Sequence, residues 1–312
     1  MSEKIPLLVL NGLAAEHRAQ IAAVYDLTYA PTPAERAAAI AQHGARFRAV
    51  LTIGVIGLTE EELAAMPALE LACCMGVGYE GLPMQALRAR GIATANGAGT
   101  NDDCVADHAF GLIIGAVRGF HALDRQCREG VWRESIAQPP NVSGKKLGIL
   151  GLGGIGRKIA KRAAGFDMPV GYHNRRPVED APHRYFDSPI ALARWCDVLV
   201  CAVPGGPATR HLVGAEVLDA LGPQGWLVNI GRGSVVDTDA LAAALREHRI
   251  AGAGLDVYES EPLPPQQLIG LDNLLITPHV AGWSPEATQA SVDRFMANAE
   301  GHFSGRGVVS PI

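Results

Sequence analysis

The segment from Lys146 to Arg176 constrains this chain more than any other. A short apolar run, Lys146 to Leu150, ends in glycines at 151, 153 and 156, and a helix-like pattern with Ile159, Ala160, Ala163 and Ala164 follows. Strand, tight turn and helix in that order make a turn built for a pyrophosphate. Gly151 allows the turn, Gly153 lets the backbone come close to the phosphates, and Gly156 lets helix and strand pack tightly. Gly154 and Ile155 complete the loop, and the helix N-terminus is left aimed at the negative charge.

A second apolar strand, Val170 to His173, ends eighteen residues after Gly156 in Asn174-Arg175-Arg176. An acid there would accept hydrogen bonds from the ribose 2′-hydroxyl of NAD, whereas a 2′-phosphate needs the carboxylate gone and a cation in its place. The sequence therefore predicts NADP, with NADPH preferred over NADH, against the blander alternative of a solvated basic turn.

At 312 residues the chain exceeds what one ordinary core holds, so two domains are expected, and 48% hydrophobic with 19% charged residues is the composition of a globular protein. A net charge of −5 gives no general attraction to nucleic acid or to an acidic membrane. The cysteines Cys73, Cys74, Cys104, Cys127, Cys196 and Cys201 form no C-x-x-C pair, so no metal or disulfide framework is expected and a reducing compartment is. The N-terminus lacks the pattern of a signal peptide, and no apolar run approaches a membrane span, which makes the cytoplasm the expected location.

From Ile5 to Thr94, strand candidates at Ile5 to Leu10, Val24 to Thr28, Ala49 to Ile53, Leu71 to Met75 and Ile92 to Thr94 alternate with Ala-rich helical stretches. That alternation predicts a parallel sheet covered on both faces, with Thr32 capping a helix that starts at Pro33. The loops holding Gly54 and Gly76-Val77-Gly78-Tyr79 follow strands, where ligands of such sheets rest. Their glycines serve either substrate contact or simply the turn. Asp103 to Arg128 carries Val105, Ala109, Leu112, Ile113, Ala116, Phe120 and Leu123 at helical spacing, and predicts one amphipathic helix. Asp107 and His108 on it read as solvated or capping residues rather than chemistry. An irregular arm with Trp132 and Pro139-Pro140 follows.

Beyond Arg176 the alternation resumes, with strands at Val198 to Val203, Trp226 to Ile230, Gly252 to Val257 and Leu274 to Ile276. The fold class is therefore α/β, with two doubly wound, Rossmann-like parallel sheets. Pro204 ends a strand where a nicotinamide would lie, beside Val203. Hydride chemistry also needs a cation for the substrate and a proton donor for the developing alkoxide. Three strand ends carry such groups: Ile230-Gly231-Arg232, Asp256-Val257-Tyr258-Glu259-Ser260-Glu261, and Thr277-Pro278-His279.

With GLGGIG, NIGRGSVVD, GAGLDVYESEP and TPHVAG in this order, the chain resembles the D-isomer-specific 2-hydroxyacid dehydrogenase family over essentially its full length. Asn174-Arg175-Arg176 is similar to the NADP-preferring glyoxylate and hydroxypyruvate reductases. The resemblance implies that Arg232 clamps the 2-oxoacid, that His279 is the general acid and base, and that Glu261 orients it. It also implies that Val77 and Gly78 bind the substrate carboxylate, that Asp256 holds the nicotinamide amide, and that Thr209 lies near the pyrophosphate. Arg232, His279 and Ile230 would border the cofactor as well. Residues 1–96 with 285–312 would form the substrate domain, 97–284 the cofactor domain, and the 103–140 helix and arm a homodimer interface. Two departures stand out. Asn101-Asp102-Asp103 replaces the Thr-containing version, and Trp283, where relatives have a smaller residue, either caps the pocket and favours short substrates or fills a hinge. The implied activity is NADPH-dependent reduction of glyoxylate or hydroxypyruvate. A phenylpyruvate or hydroxyphenylpyruvate reductase, or a dinucleotide-sensing interaction protein, is the alternative.

Overall fold

Parallel pairing organises both halves of the chain. In the computed structural model, which describes residues 3–312, contacts separate residues up to Asn101 together with Trp283–Ile312 from Asp102–Gly282. The division lies a few residues from the crossings expected near Asn96 and Ser284.

The first unit runs β1 (Pro6–Val9), α1 (Ala15–Val24), β2 (Asp26–Tyr29), α2 (Pro33–His43), β3 (Ala49–Thr52), α3 (Glu60–Ala64), β4 (Leu71–Cys74), α4 (Met84–Ala89) and β5 (Ala93–Ala95). Its strands are parallel in the order β2-β1-β3-β4-β5. Successive side chains of a strand point to opposite faces, and both faces here are buried. Leu7 and Val9 enter one core cluster, Leu8 and Leu10 the other. Thr32 caps α2 as expected: its hydroxyl accepts from the Glu35 amide, the Glu35 carboxylate accepts from the Thr32 amide, and Pro33 starts the helix. The strand order reverses between β1 and β3, and the loops that leave the carboxyl ends of the strands there hold Gly54.

The second unit runs α5 (Asp102–Arg118), α6 (Phe120–Arg128), β6 (Leu147–Leu150), α7 (Gly154–Ala163), β7 (Val170–His173), β8 (Arg184–Tyr185), α8 (Pro189–Trp195), β9 (Val198–Cys201), α9 (Ala215–Leu221), β10 (Trp226–Asn229), α10 (Thr238–Arg246), β11 (Gly252–Leu255) and β12 (Leu274–Ile276). A last helix, α11 (Pro285–Phe303), belongs to the first unit, where Gln20 of α1 donates to Asp293 at 2.8 Å. The second sheet is parallel in the order β12-β11-β10-β9-β6-β7-β8. Leu150, Leu199 and Cys201 face one core cluster, and Leu147, Ile149, Val198 and Val200 the other. Here the order reverses between β6 and β9, so the glycine turn after β6 stands at the switch point.

One expectation needs correction. The single helix over Asp103 to Arg128 is two helices, because Gly119 takes a left-handed conformation (φ 66°) that no right-handed helix continues through. Phe120 and Leu123 keep the apolar spacing across the break, which hid it in the sequence. The structure also adds β8, a two-residue strand whose Arg184-Tyr185 shows no apolar alternation, so nothing in the sequence announced it.

Candidate active site

The glycine turn is shaped for close approach. Gly151 has φ 99°, and a Cβ there would lie 2.8 Å from the Ala202 carbonyl oxygen; at Gly156 it would lie 2.1 Å from the Gly151 oxygen. Helix α7 can therefore sit tight on β6 only with glycine at 156. At Gly153 a Cβ would meet nothing within 4 Å, so the exposed backbone before α7 faces open space of the kind a pyrophosphate needs. Gly154 lies against Asp102, whose carboxyl pKa burial pushes up, and Ile155 packs partly buried on the core. These residues fit a dinucleotide.

At the end of β7, Asn174 turns inward, where its Oδ1 accepts from the Leu152 amide at 2.7 Å. It braces the turn from the side. Arg175 and Arg176 remain exposed, and their side chains make no ion pair or hydrogen bond among the described residues.

After β9, Val203 is half-buried and Pro204 exposed. The Thr209 hydroxyl donates to the Pro204 carbonyl at 2.7 Å, so it folds this loop on itself. Ile230 is buried, its side chain in the core and its amide on Cys201, so it can meet a ligand only through its backbone.

Arg232 follows β10 in extended backbone and is half-buried. The fully buried Asn229 holds this turn from both sides: its amide donates to the Arg232 carbonyl at 3.0 Å and its Oδ1 accepts from the Gly231 amide at 3.1 Å. The Arg232 guanidinium donates to the Gly231 carbonyl, and its aliphatic stem packs close to Gly205, where a Cβ would lie 3.0 Å from it.

His279 is the most constrained of the catalytic candidates. Its φ of 55° is sparsely populated for a residue with a side chain, at a cost of about 1–3 kcal/mol. Asp256, 1% exposed, holds it there. The Asp256 carbonyl accepts from the His279 amide at 2.9 Å, while its carboxylate accepts from the Val280 and Ala281 amides at 2.9 and 2.8 Å. Glu261 holds the ring: Oε2 lies 2.6 Å from His279 Nδ1, and Oε1 accepts from the Tyr258 amide at 2.8 Å. The hydrogen bond to Glu261 raises the His279 pKa, burial opposes this, and the Arg232 charge nearby also lowers it. The second unit thus brings Arg232, Asp256, Glu261 and His279 together, with His279 Nε2 the ring nitrogen that Glu261 does not engage.

In the first unit, Gly54 and Gly78 meet. A Cβ on Gly54 would lie 2.6 Å from the Gly78 carbonyl carbon, and the Gly81 amide donates to the Gly54 carbonyl at 2.8 Å. Val77 is exposed on this two-loop platform, and its carbonyl accepts from Asn96 at 2.7 Å. Trp283 is 79% exposed.

Sequence reasoning missed the supports. Asn229 and Thr277 are small polar residues at strand ends, with no spacing that sets them apart. Glu259 accepts from the Thr238 amide and hydroxyl and pairs with His211 at 2.8 Å, which ties the loop before Glu261 to the start of α10. Burial alone would raise the Glu259 pKa, but the hydrogen bonds from His211 and Thr238 outweigh it and hold the carboxyl low.

Known proteins share this arrangement of sequence and fold. Residues 110–281 match the D-isomer specific 2-hydroxyacid dehydrogenase, NAD binding domain. Glyoxylate/hydroxypyruvate reductase A of Arabidopsis thaliana is 35% identical over 311 residues, 99% of each chain. Hydroxyphenylpyruvate reductase of Plectranthus scutellarioides is 39% identical over 266 residues, 85% of each. Among solved structures, the NADPH-dependent glyoxylate/hydroxypyruvate reductase of Sinorhizobium meliloti, in complex with NADP and malonate, superposes with a TM-score of 0.91 at 32% identity, covering 99% of this chain and 97% of that one. By its sequence over nearly its whole length, and by its two parallel-sheet units, the chain belongs to the D-isomer specific 2-hydroxyacid dehydrogenase family.

Proposed function

We propose that the chain reduces a short 2-oxoacid, glyoxylate or hydroxypyruvate, to the D-2-hydroxyacid with NADPH. The observation that carries this reading is the His279–Glu261 pair at 2.6 Å beside Arg232, a proton donor and a carboxylate-binding cation on one framework. A relative named glyoxylate/hydroxypyruvate reductase, at 35% identity, supports the substrate class. Residues 151–156, Asn174, Val203, Pro204, Thr209, Ile230 and Asp256 would border the dinucleotide, with Arg175 and Arg176 on the 2′-phosphate. Bound there, the nicotinamide supplies hydride.

The protein's own part is binding and proton transfer. Arg232 pairs with the substrate carboxylate through its planar fork of donors. Protonated His279 gives its Nε2 proton to the carbonyl oxygen as the carbon is reduced, while Nδ1 stays on Glu261. Because Glu261 raises the His279 pKa, the donor form persists to higher pH than in a free imidazole, which favours reduction near neutrality.

A second reading, reduction of an arylpyruvate, is favoured by the exposed apolar side chains of the first unit's loops, Val55 at 72% and Tyr79 at 41%. The homodimer is proposed through the 103–140 region. Helix α6 buries none of its residues within the chain, and it leaves Phe120 52% and the arm's Trp132 68% exposed. A cytoplasmic location suits the free cysteines, among which Cys73, Cys74, Cys196 and Cys201 are buried thiols whose pKa values burial pushes up.

Initial rates of NADPH and NADH oxidation with glyoxylate, hydroxypyruvate and phenylpyruvate, for the wild type and His279→Ala, test the proposal. Fast NADPH turnover on the short acids, abolished by the substitution, is expected. Preference for phenylpyruvate would select the arylpyruvate reading. Tight NADPH binding without turnover on any 2-oxoacid would overturn both in favour of a dinucleotide sensor.

A further inference from the structure

The Asp256 that holds His279 ends a polar chain whose first member, His108, none of the roles above uses. His108, on α5, places Nε2 2.9 Å from Thr277 Oγ1 and 3.5 Å from Asp256 Oδ1. Thr277 Oγ1 in turn lies 2.6 Å from Asp256 Oδ1 and 3.5 Å from the Leu255 carbonyl. A threonine hydroxyl has one proton, and the short contact commits it to the Asp256 carboxylate. The Thr277 oxygen is then the acceptor for His108, so His108 carries its proton on Nε2. The order of donation is His108 to Thr277 to Asp256, and Asp256 accepts from the two amides that follow His279. The two side-chain hydrogen bonds point the same way, so that the first polarises the second, and they converge with the two amides on the Asp256 carboxylate.

We propose that His108 is a positioning residue for His279, acting through Thr277 and Asp256; this rests on the reading of His279 as the proton donor. The reason lies in the backbone. His279 sits in a left-handed conformation that its surroundings must impose. The imposing group is one buried carboxylate, and a carboxylate with two oxygens on two successive amides must be fixed in both position and rotation. Val280 and Ala281 hold it from the loop side; Thr277, backed by His108, holds it from the sheet side. With that side loosened, the loop relaxes and His279 Nδ1 leaves Glu261. The charged groups facing His279 are Glu261, Asp256 and Arg232, and Glu261 has the largest effect in keeping the ring protonated. Loosening the chain therefore lowers the pH range over which His279 is a donor.

Four variants test this: His108→Leu, which removes the donor; His108→Gln, whose amide nitrogen can take the place of Nε2; Thr277→Val, which removes the hydroxyl with little change of shape; and the Leu/Val double variant. Titration of the His279 ring by NMR in the cofactor-free protein, and kcat and KM for glyoxylate against pH, are the readouts. His108→Leu and Thr277→Val are each expected to lower kcat about fivefold, the loss of one net hydrogen bond. The 2-oxoacid KM should hold within about twofold, and both the His279 titration and the alkaline limb should move to lower pH. The double variant should be no worse than either single one, because both break one chain. His108→Gln should restore the wild-type limb. An unmoved His279 titration in His108→Leu, fully additive losses in the double variant, or a His108→Gln as impaired as His108→Leu would each overturn the proposal. Wild-type turnover by His279→Ala would instead overturn the reading on which it rests.

Discussion

Replacing Glu261 by Gln keeps the shape of the His279 partner and removes its charge. Glu261 Oε2 and His279 Nδ1 are 2.6 Å apart, with side chains 24% and 38% exposed. A hydrogen bond to a charged group is worth about 1.5–3 kcal/mol, and partial exposure screens this pair, so the low end, about 1.5 kcal/mol, applies. At about 1.36 kcal/mol per tenfold, that is roughly a tenfold loss in the stability of the imidazolium, and in kcat/KM for reduction wherever that form limits the rate. The sign follows from the chemistry. Reduction uses protonated His279, which is present below its pKa. Glu261 raises that pKa, so its loss moves the alkaline limb of the rate profile to lower pH. Well below the limb both enzymes are protonated, and the variant should come closest to the wild type there. The assay is kcat/KM for glyoxylate from pH 5 to 10 with saturating NADPH. An alkaline limb at the wild-type position, with a uniform loss at every pH, would show that Glu261 acts only by orientation and would refute the electrostatic argument.

Removing both cations with Arg175→Ala and Arg176→Ala should raise the NADPH Kd by about tenfold or more, one charge-assisted hydrogen bond at the least, and leave the NADH Kd nearly unchanged. Fluorescence titration with both dinucleotides checks this, and equal losses for the two would sink the phosphate assignment. Gly156→Ala brings a Cβ within 2.1 Å of the Gly151 oxygen, so α7 must back away from β6. A cost of about 1–3 kcal/mol in stability is expected, with weaker dinucleotide binding, and denaturant unfolding that matches the wild type would contradict the packing argument. Phe120→Asp puts a charge on the exposed face of α6, the proposed homodimer interface, and should yield monomers in sedimentation; a mass equal to that of the wild type would overturn that proposal.

Much of the site was legible because its groups sit where the topology sends them. Gly151, Arg232, Glu261 and His279 all follow strands of one parallel sheet, so a strand pattern read from apolar runs already placed them on one edge. The break at Gly119 was not legible. A glycine inside an apolar period costs a helix only about 1 kcal/mol, and nothing local shows whether the chain uses its freedom. The hydrogen bonds that Asn174 and Thr209 make within the chain were not legible for a similar reason. Asn174 lies at the predicted position, but its side chain turns to the Leu152 amide, and the Thr209 hydroxyl closes its own loop. Side-chain direction at a strand end is set by neighbours distant in sequence, and periodicity carries no record of it. His108 is the sharpest case. A histidine on the polar side of an amphipathic helix reads as solvated until β11 and β12 bring Asp256 and Thr277 against it.

Two carboxylates serve His279, and their surroundings divide the work. Asp256 is buried and spends its oxygens on the Val280 and Ala281 amides and the Thr277 hydroxyl, so its charge is met by fixed donors and its effect is to shape backbone. Glu261 is part-exposed and spends one oxygen on the Tyr258 amide and the other on the imidazole, so its effect is on the proton. Exchanging the two environments would defeat both tasks. A buried Glu261 without such donors would lose its charge and with it the raised His279 pKa. An exposed Asp256 would give up its hold on the amides to water, and the left-handed turn at His279 would keep only the hydrogen bonds of its own amide to the Asp256 and Thr277 carbonyls. A strained histidine with a raised pKa therefore needs one carboxylate for each requirement.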